Sequence, residues 1–183
     1  MRKILSEYTL GDMFARYIKN EDETVSFQLL PRSRVIGIND FEKEEVPENL
    51  VQIKLAGDCY NEAYAMGVSL RNSETVRRLK FDSQGDEDIE GEKVITTSLK
   101  DARGYRVKHI LRWKNGKPYI TLENVFCNES GEDVRLEMFE SFSLGGLTPY
   151  IQNDAPYSME LYRLRSVWSA EGKVDVNTVE DLM

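Results

Sequence analysis

Histidine is nearly missing from this sequence: its 183 residues include only His109. A zinc site needs several His or Cys ligands, and the three candidates, His109, Cys59 and Cys127, are scattered along the chain. No metal site and no cofactor is expected. Cysteine is scarce as well. Two so far apart form no disulfide framework in a domain of this size, and each is expected as a small buried hydrophobe. Basic charge is outnumbered, with 24 Lys and Arg against 32 Asp and Glu, a net charge of -8 and a pI of about 4.9. Nucleic acid and anionic membranes require clustered basic surface, so neither is an expected partner. No apolar run approaches the ~20 residues of a membrane helix. The opening MRKILSEYTLGDMF lacks the apolar core of a signal peptide, which leads to the expectation of a cytoplasmic chain. Gly-rich phosphate loops, nucleophile elbows, internal repeats and low-complexity segments are absent too.

What is present is period-two patterning. A chain this long can bury about 70% of its unfolded surface, and sandwiches of about 200 residues fold as one domain. Asp12–Tyr17 is read as a strand. In Thr24–Leu30, Val25, Phe27 and Leu29 share one face and Ser26 and Gln28 the other, which predicts a half-buried strand ended by Pro31. Residues 39–49 are charged and contain Pro47, hence a loop. Val51, Ile53 and Leu55 alternate up to Gly57-Asp58, and CYNEAYAMGVSLRNS follows as a loop. Val76–Phe81 is read as a strand and the acidic run Gln84–Glu92 as a solvated loop. Lys93–Leu99 and Tyr105–Trp113 are strands joined by Asp101-Ala102-Arg103-Gly104. The second is two-faced, with Tyr105, Val107, His109, Leu111 and Trp113 on one side.

Asn115-Gly116 predicts a two-residue type I′ turn, so Tyr105–Trp113 should pair with Pro118–Cys127. That segment in turn should pair with Glu132–Phe142 across Asn128–Gly131. Met159–Trp168 is the last expected strand, and the chain beyond Gly172 is weakly patterned. Strands should dominate and packed helices be nearly absent. The fold class is all-β, a large antiparallel β-sandwich.

Several residues invite a chemical reading. His109 sits on a patterned strand, where a lone histidine is expected as a hydrogen-bonded core or edge residue. Asp86, Asp88, Glu90 and Gly91 match the start of a calcium loop, but Thr97 replaces its closing glutamate and the flanks are not helical. Calcium is therefore not expected. Glu123, Glu137 and Glu140 are expected to face solvent in cross-strand pairs, with no catalytic role. Tyr150, Tyr157, Tyr162, Arg163, Arg165 and Trp168 form an aromatic and arginine set suited to an interface or to stacking on a sugar. Trp168 is expected in the core or at a domain interface ahead of direct ligand contact.

Four stretches carry a family resemblance: LVQIKLAGDCYNEAYAMGVSLRNSETV (50–76), ITTSLKDARGYRVKHILRW (95–113), LENVFCNESGEDVRLEMFESFSLGGLTPY (122–150) and LYRLRSVWSAEGK (161–173). In these the chain resembles the N-terminal domain of family 36 glycoside hydrolases, the bacterial α-galactosidases. SFSLGGLTPY and RSVWSAEGK are the specific phrases. The resemblance implies a β-supersandwich, of the galactose-mutarotase-like kind, over residues 1–173. Residues 174–183 would start a linker toward a catalytic (β/α)₈ barrel. Such a barrel takes about 250 residues and carries the two aspartates of a retaining mechanism, so this chain alone is expected to be inactive. The family is often tetrameric, and its N-terminal domain lends a loop to a neighbour's active site. By that resemblance, Asp58, Tyr60 and Arg71 are expected as substrate-binding residues. Asp58 and Arg71 match the motif's Gly-Asp opening and later Arg, whereas Cys59-Tyr60-Asn61-Glu62 departs from its Arg and Pro.

Tyr150, Arg163, Arg165 and Trp168 are expected at a domain interface or stacked on sugar. The implied partners are the chain's own barrel, further copies of the chain, and galactosides as ligands of the whole enzyme. The residues themselves also allow Asp58 to be a turn residue whose side chain caps local backbone. Two other functions compete: a stand-alone carbohydrate-binding β-sandwich protein, and a mutarotase-type aldose epimerase. The single histidine counts against the epimerase, since such enzymes use histidines with a carboxylate.

Overall fold

The computed structural model describes residues 2–35, 47–59, 71–148, 156–169, 171–178 and 180–182. The chain divides into two units, residues 1–147 and 148–183.

In the first unit, β1 (Lys3–Leu10), β2 (Met13–Lys19) and β3 (Val25–Pro31) form an antiparallel sheet in that order. A second antiparallel sheet is a meander of β5 (Lys80–Ile89), β6 (Glu92–Asp101), β7 (Tyr105–Lys114) and β8 (Thr121–Asn128). Between them in sequence lie β4 (Ile53–Leu55) and the five-residue helix α1 (Glu74–Arg78), and β4 pairs with β9 (Leu136–Phe139). The two larger sheets bury facing sides. Leu10, Ala15, Tyr17, Val25 and Phe27 from the first meet Ile95, Leu99, Val107 and Leu111 from the second. Tyr17 and Phe27 both touch the His109 ring, at centroid distances of 6.0 and 5.6 Å. A polar contact ties the two sheets as well: Ser6 on β1 donates to Gln84 on β5, whose amide donates in turn to Thr97 on the neighbouring β6. The fold is all-β and sandwich-like, as the alternation predicts.

Several local expectations fail for physical reasons. β3 is buried on both faces. Ser26 and Gln28, expected outward, are enclosed, with Asn20 donating to Ser26 at 2.8 Å and Arg16 to Gln28 at 3.4 Å. β1, which sequence reasoning missed, supplies Glu7 as the partner of Arg16. Val76–Phe81 is not one strand. Ser73 caps a helix by accepting from the Val76 N–H, and the buried Val76 and Leu79 sit three apart, a helical spacing.

The acidic run is likewise strand rather than loop: it forms most of β5, at the sheet edge. Lys93 on β6 reaches both Asp86 and Asp88 at 2.7 Å, which offsets the repulsion that would otherwise disfavour it. A charged edge also resists pairing with another chain.

The type I′ turn falls at Glu90-Gly91, where both φ values are positive (50° and 79°) and Ile89 pairs with Glu92. At Asn115-Gly116 only the glycine has positive φ. The turn closes through Lys117 N–H to Lys114 C=O, and pairing resumes at Arg112–Thr121. β7 and β8 do pair as predicted, but β8 does not pair with the segment after Gly131. That segment's strand, β9, joins β4 instead.

In the second unit, β10 (Glu160–Leu164) pairs with β11 (Val174–Thr178). The boundary expected between residues 173 and 174 falls within this hairpin. Among the described residues, no helix is long and apolar enough to cross a membrane.

Candidate functional site

Backbone pairing along the first residues of β3 starts to build a cleft. Phe27 N–H donates to Glu48 C=O, Leu50 N–H donates to Val25 C=O, and Asn49 bridges Ser26, so residues 48–50 run along the β3 edge. Gln52, which is buried, organises what surrounds it. Its carbonyl accepts from Glu140 N–H, and its side-chain oxygen accepts from Asn72 N–H at 2.8 Å. Its amide nitrogen donates to Asn72 Oδ1 at 3.2 Å and to Glu48 at 3.4 Å. Just past β9, the Asn124 amide on β8 holds the carbonyls of Glu140 and Ser141 at 2.9 and 3.2 Å. The chain then runs through Ser141-Phe142-Ser143-Leu144-Gly145-Gly146. Gly145 passes so close to Glu48 that a Cβ would stand 2.8 Å from the Glu48 Cβ.

These segments enclose an open cavity of about 520 Å³ lined by Glu48, Gln52, Arg71, Glu140, Phe142 and residues 143–146. Small-molecule sites are commonly 300–1,000 Å³. Arg71, which is exposed, is salt-bridged to Glu48, whose side chain is only 13% accessible. Burial raises the Glu140 carboxyl above its ordinary range; Arg71 opposes that shift and Glu48 adds to it. Phe142 is 57% exposed at the cleft. Glu140, expected as a solvent-facing strand residue, is a half-buried group beyond the strand end. Sequence reasoning also missed Glu48, Gln52 and Phe142 as site residues. The only local signal was the Gly145-Gly146 pair, read simply as a break in the strand pattern.

Asp58 is elsewhere. Its side chain is 3% accessible; Oδ2 accepts from Leu55 N–H at 2.9 Å and Oδ1 from the Thr75 hydroxyl at 2.8 Å. The Arg103 guanidinium lies 4.0 Å away and binds Asp101 and Thr75. Asp58 thus caps the end of β4 and ties it to α1 and the β6–β7 turn. It does not share the cavity with Arg71. Tyr60 and Tyr150 lie outside the described residues.

On the hairpin, Arg163 donates to Asn177 at 2.9 Å, Arg165 is salt-bridged to Asp175, and Tyr162 donates to Glu160 at 2.6 Å. That last hydrogen bond raises the Tyr162 phenol's pKa. Trp168 is 94% exposed, so the expectation of a core position is corrected: it stands at a hairpin tip beside Ser169, whose φ is +64°. Cys59 is exposed and Cys127 only partly buried, so neither is the fully buried hydrophobe expected. Glu137 pairs with Lys54 across β4 and β9, and Glu123 faces solvent. His109 is 1% exposed, and its Nδ1 has no hydrogen-bond partner. Burial lowers its pKa to about 4.

Fold and site together define an all-β, sandwich-like protein with a polar cleft in its first unit and an exposed tryptophan at the hairpin tip of its second. Comparisons with family models, curated proteins and solved structures gave no match.

Proposed function

We propose that this chain is a non-catalytic N-terminal domain of an α-galactosidase-like glycoside hydrolase, which packs on a catalytic barrel, supports oligomerisation and contributes to a sugar-binding site in the cytoplasm. One observation carries the reading. The run FSLGG (142–146), part of a phrase that bears much of the family resemblance, lines the same open cleft as Arg71, the arginine that resemblance assigns to substrate. A guanidinium donates to sugar hydroxyls, and carboxylates and amides accept from them. The resemblance also assigned Asp58 to substrate, and its enclosed, doubly hydrogen-bonded carboxylate supports the capping role instead.

The test is calorimetric titration of the chain with raffinose beside an assay with p-nitrophenyl α-galactoside. Saturable binding without turnover is expected. Turnover above background would overturn the non-catalytic assignment, and absence of binding would overturn the contribution to sugar recognition. A stand-alone carbohydrate-binding protein is the second reading, favoured by the exposure of Trp168. Loss of binding in Trp168→Ala alone would move the assignment there. An epimerase is disfavoured further by His109, buried between Tyr17 and Phe27 where no substrate reaches it.

A further inference from the structure

The charges of the cleft go beyond a general capacity to bind sugar. Its described lining holds two carboxylates, Glu48 and Glu140, and one guanidinium, Arg71. Arg71 is engaged by Glu48, so much of its positive charge is answered within the protein. Glu140 adds a second negative charge, and its position is imposed from two sides: its N–H binds Gln52 and its C=O accepts from Asn124. Beside it Phe142 offers an exposed ring. Vicinal hydroxyls suit the carboxylate and guanidinium edges, and the apolar face of a pyranose suits the ring. An anionic ligand would meet the excess negative charge after giving up its own hydration.

We propose that the cleft formed by Arg71, Glu140 and Phe142 is a subsite for a hydroxylated ring that carries no negative charge, and that Glu140 determines this charge preference. The proposal rests on the sugar-binding reading above and adds the class of sugar: unphosphorylated, with an ammonium-bearing ring preferred over a neutral one. Glu48 and Gln52 act as positioning residues, the first by salt-bridging Arg71 and the second by fixing the backbone of Glu140.

The experiment titrates the chain at pH 7 with galactose, galactosamine and galactose 6-phosphate. It is repeated with Glu140→Gln, Phe142→Ala and Trp168→Ala, each checked for an unchanged circular dichroism spectrum. Galactosamine should bind most tightly and the phosphate at least about tenfold more weakly than galactose, a lower bound on the effect of one close charge–charge contact near a protein surface. Glu140→Gln should bring the three affinities together. Phe142→Ala should weaken all three in proportion, and Trp168→Ala should change none. An affinity order that survives Glu140→Gln, or affinities indifferent to Phe142→Ala, would overturn the subsite. Binding lost only in Trp168→Ala would overturn the subsite while leaving the sugar-binding reading intact. Failure of all three sugars to bind the unaltered chain would overturn both.

Discussion

Asp58 and His109 show how a residue's role depends on what its polar atoms touch. The family resemblance assigns Asp58 to substrate, yet both carboxylate oxygens are committed to Leu55 N–H and Thr75. Asp58→Ala should cost about 2–3 kcal/mol in urea denaturation, since it strands buried donors. Asp58→Asn, which keeps one acceptor, should cost less. An Asp58→Ala chain as stable as the parent would refute the capping role. His109 stays neutral in the core, with its pKa lowered to about 4 by burial, against an ordinary value near 6.5 in the unfolded chain. Between those values the unfolded state binds more protons, so stability rises with pH across that window and levels off above it. The difference is on the order of 3 kcal/mol. Denaturation midpoints at pH 4.5 and 7.5 should differ accordingly, and His109→Leu should flatten the dependence. An unchanged slope in that variant would assign the effect to other groups.

Among the elements, the β6–β7 connection is the most constrained. Gly104 has φ +91°, and a Cβ there would fall 2.8 Å from the Ser130 backbone. Glu129 N–H binds the Gly104 carbonyl at 2.7 Å, which fastens the turn after β8 to the turn before β7. Gly104→Ala meets both strain and backbone overlap, and should destabilise by roughly 3 kcal/mol. The variant's thermal midpoint measures this, and a shift under one degree would contradict the geometry. The β5–β6 hairpin presents the opposite case. Its Glu90-Gly91 turn has glutamate where a type I′ bend usually carries Asn, Asp or Gly, and the cross-strand Lys93 contacts help hold an acidic strand that composition alone suggests is solvated.

At the scale of the molecule, the two units differ in how they are held. Residues 1–147 enclose a shared core between sheets. The β10–β11 hairpin exposes Leu161, Tyr162, Leu164, Val174 and Val176, and a two-stranded ribbon is marginal in water by itself. Amide exchange should therefore be faster by orders of magnitude in β10 and β11 than in β6 and β7. Equal protection of both would show that the hairpin is covered in solution, as the proposed packing on a barrel or on a second copy would require.

Alternation by itself determined the class of fold and the placement of β3, β4, β6 and β7. A period of two places Val107, His109 and Leu111 on one face whatever they meet. It left His109 as a hydrogen-bonded core or edge residue, and only the packing decided that the ring is enclosed with Nδ1 unpartnered. Partners across the sheets were decided only in three dimensions. β9 left β8 for β4, because pairing depends on what the rest of the core leaves open, which no local pattern records. The cleft was illegible for the same reason. Glu48 with Gln52, Arg71, and Glu140 with Phe142 come from three separate segments, and their meeting follows from the Gln52 and Asn124 hydrogen bonds and the close passage of Gly145. Residue type gave these side chains their chemistry, and the tertiary structure alone decided that they share one solvent-open space.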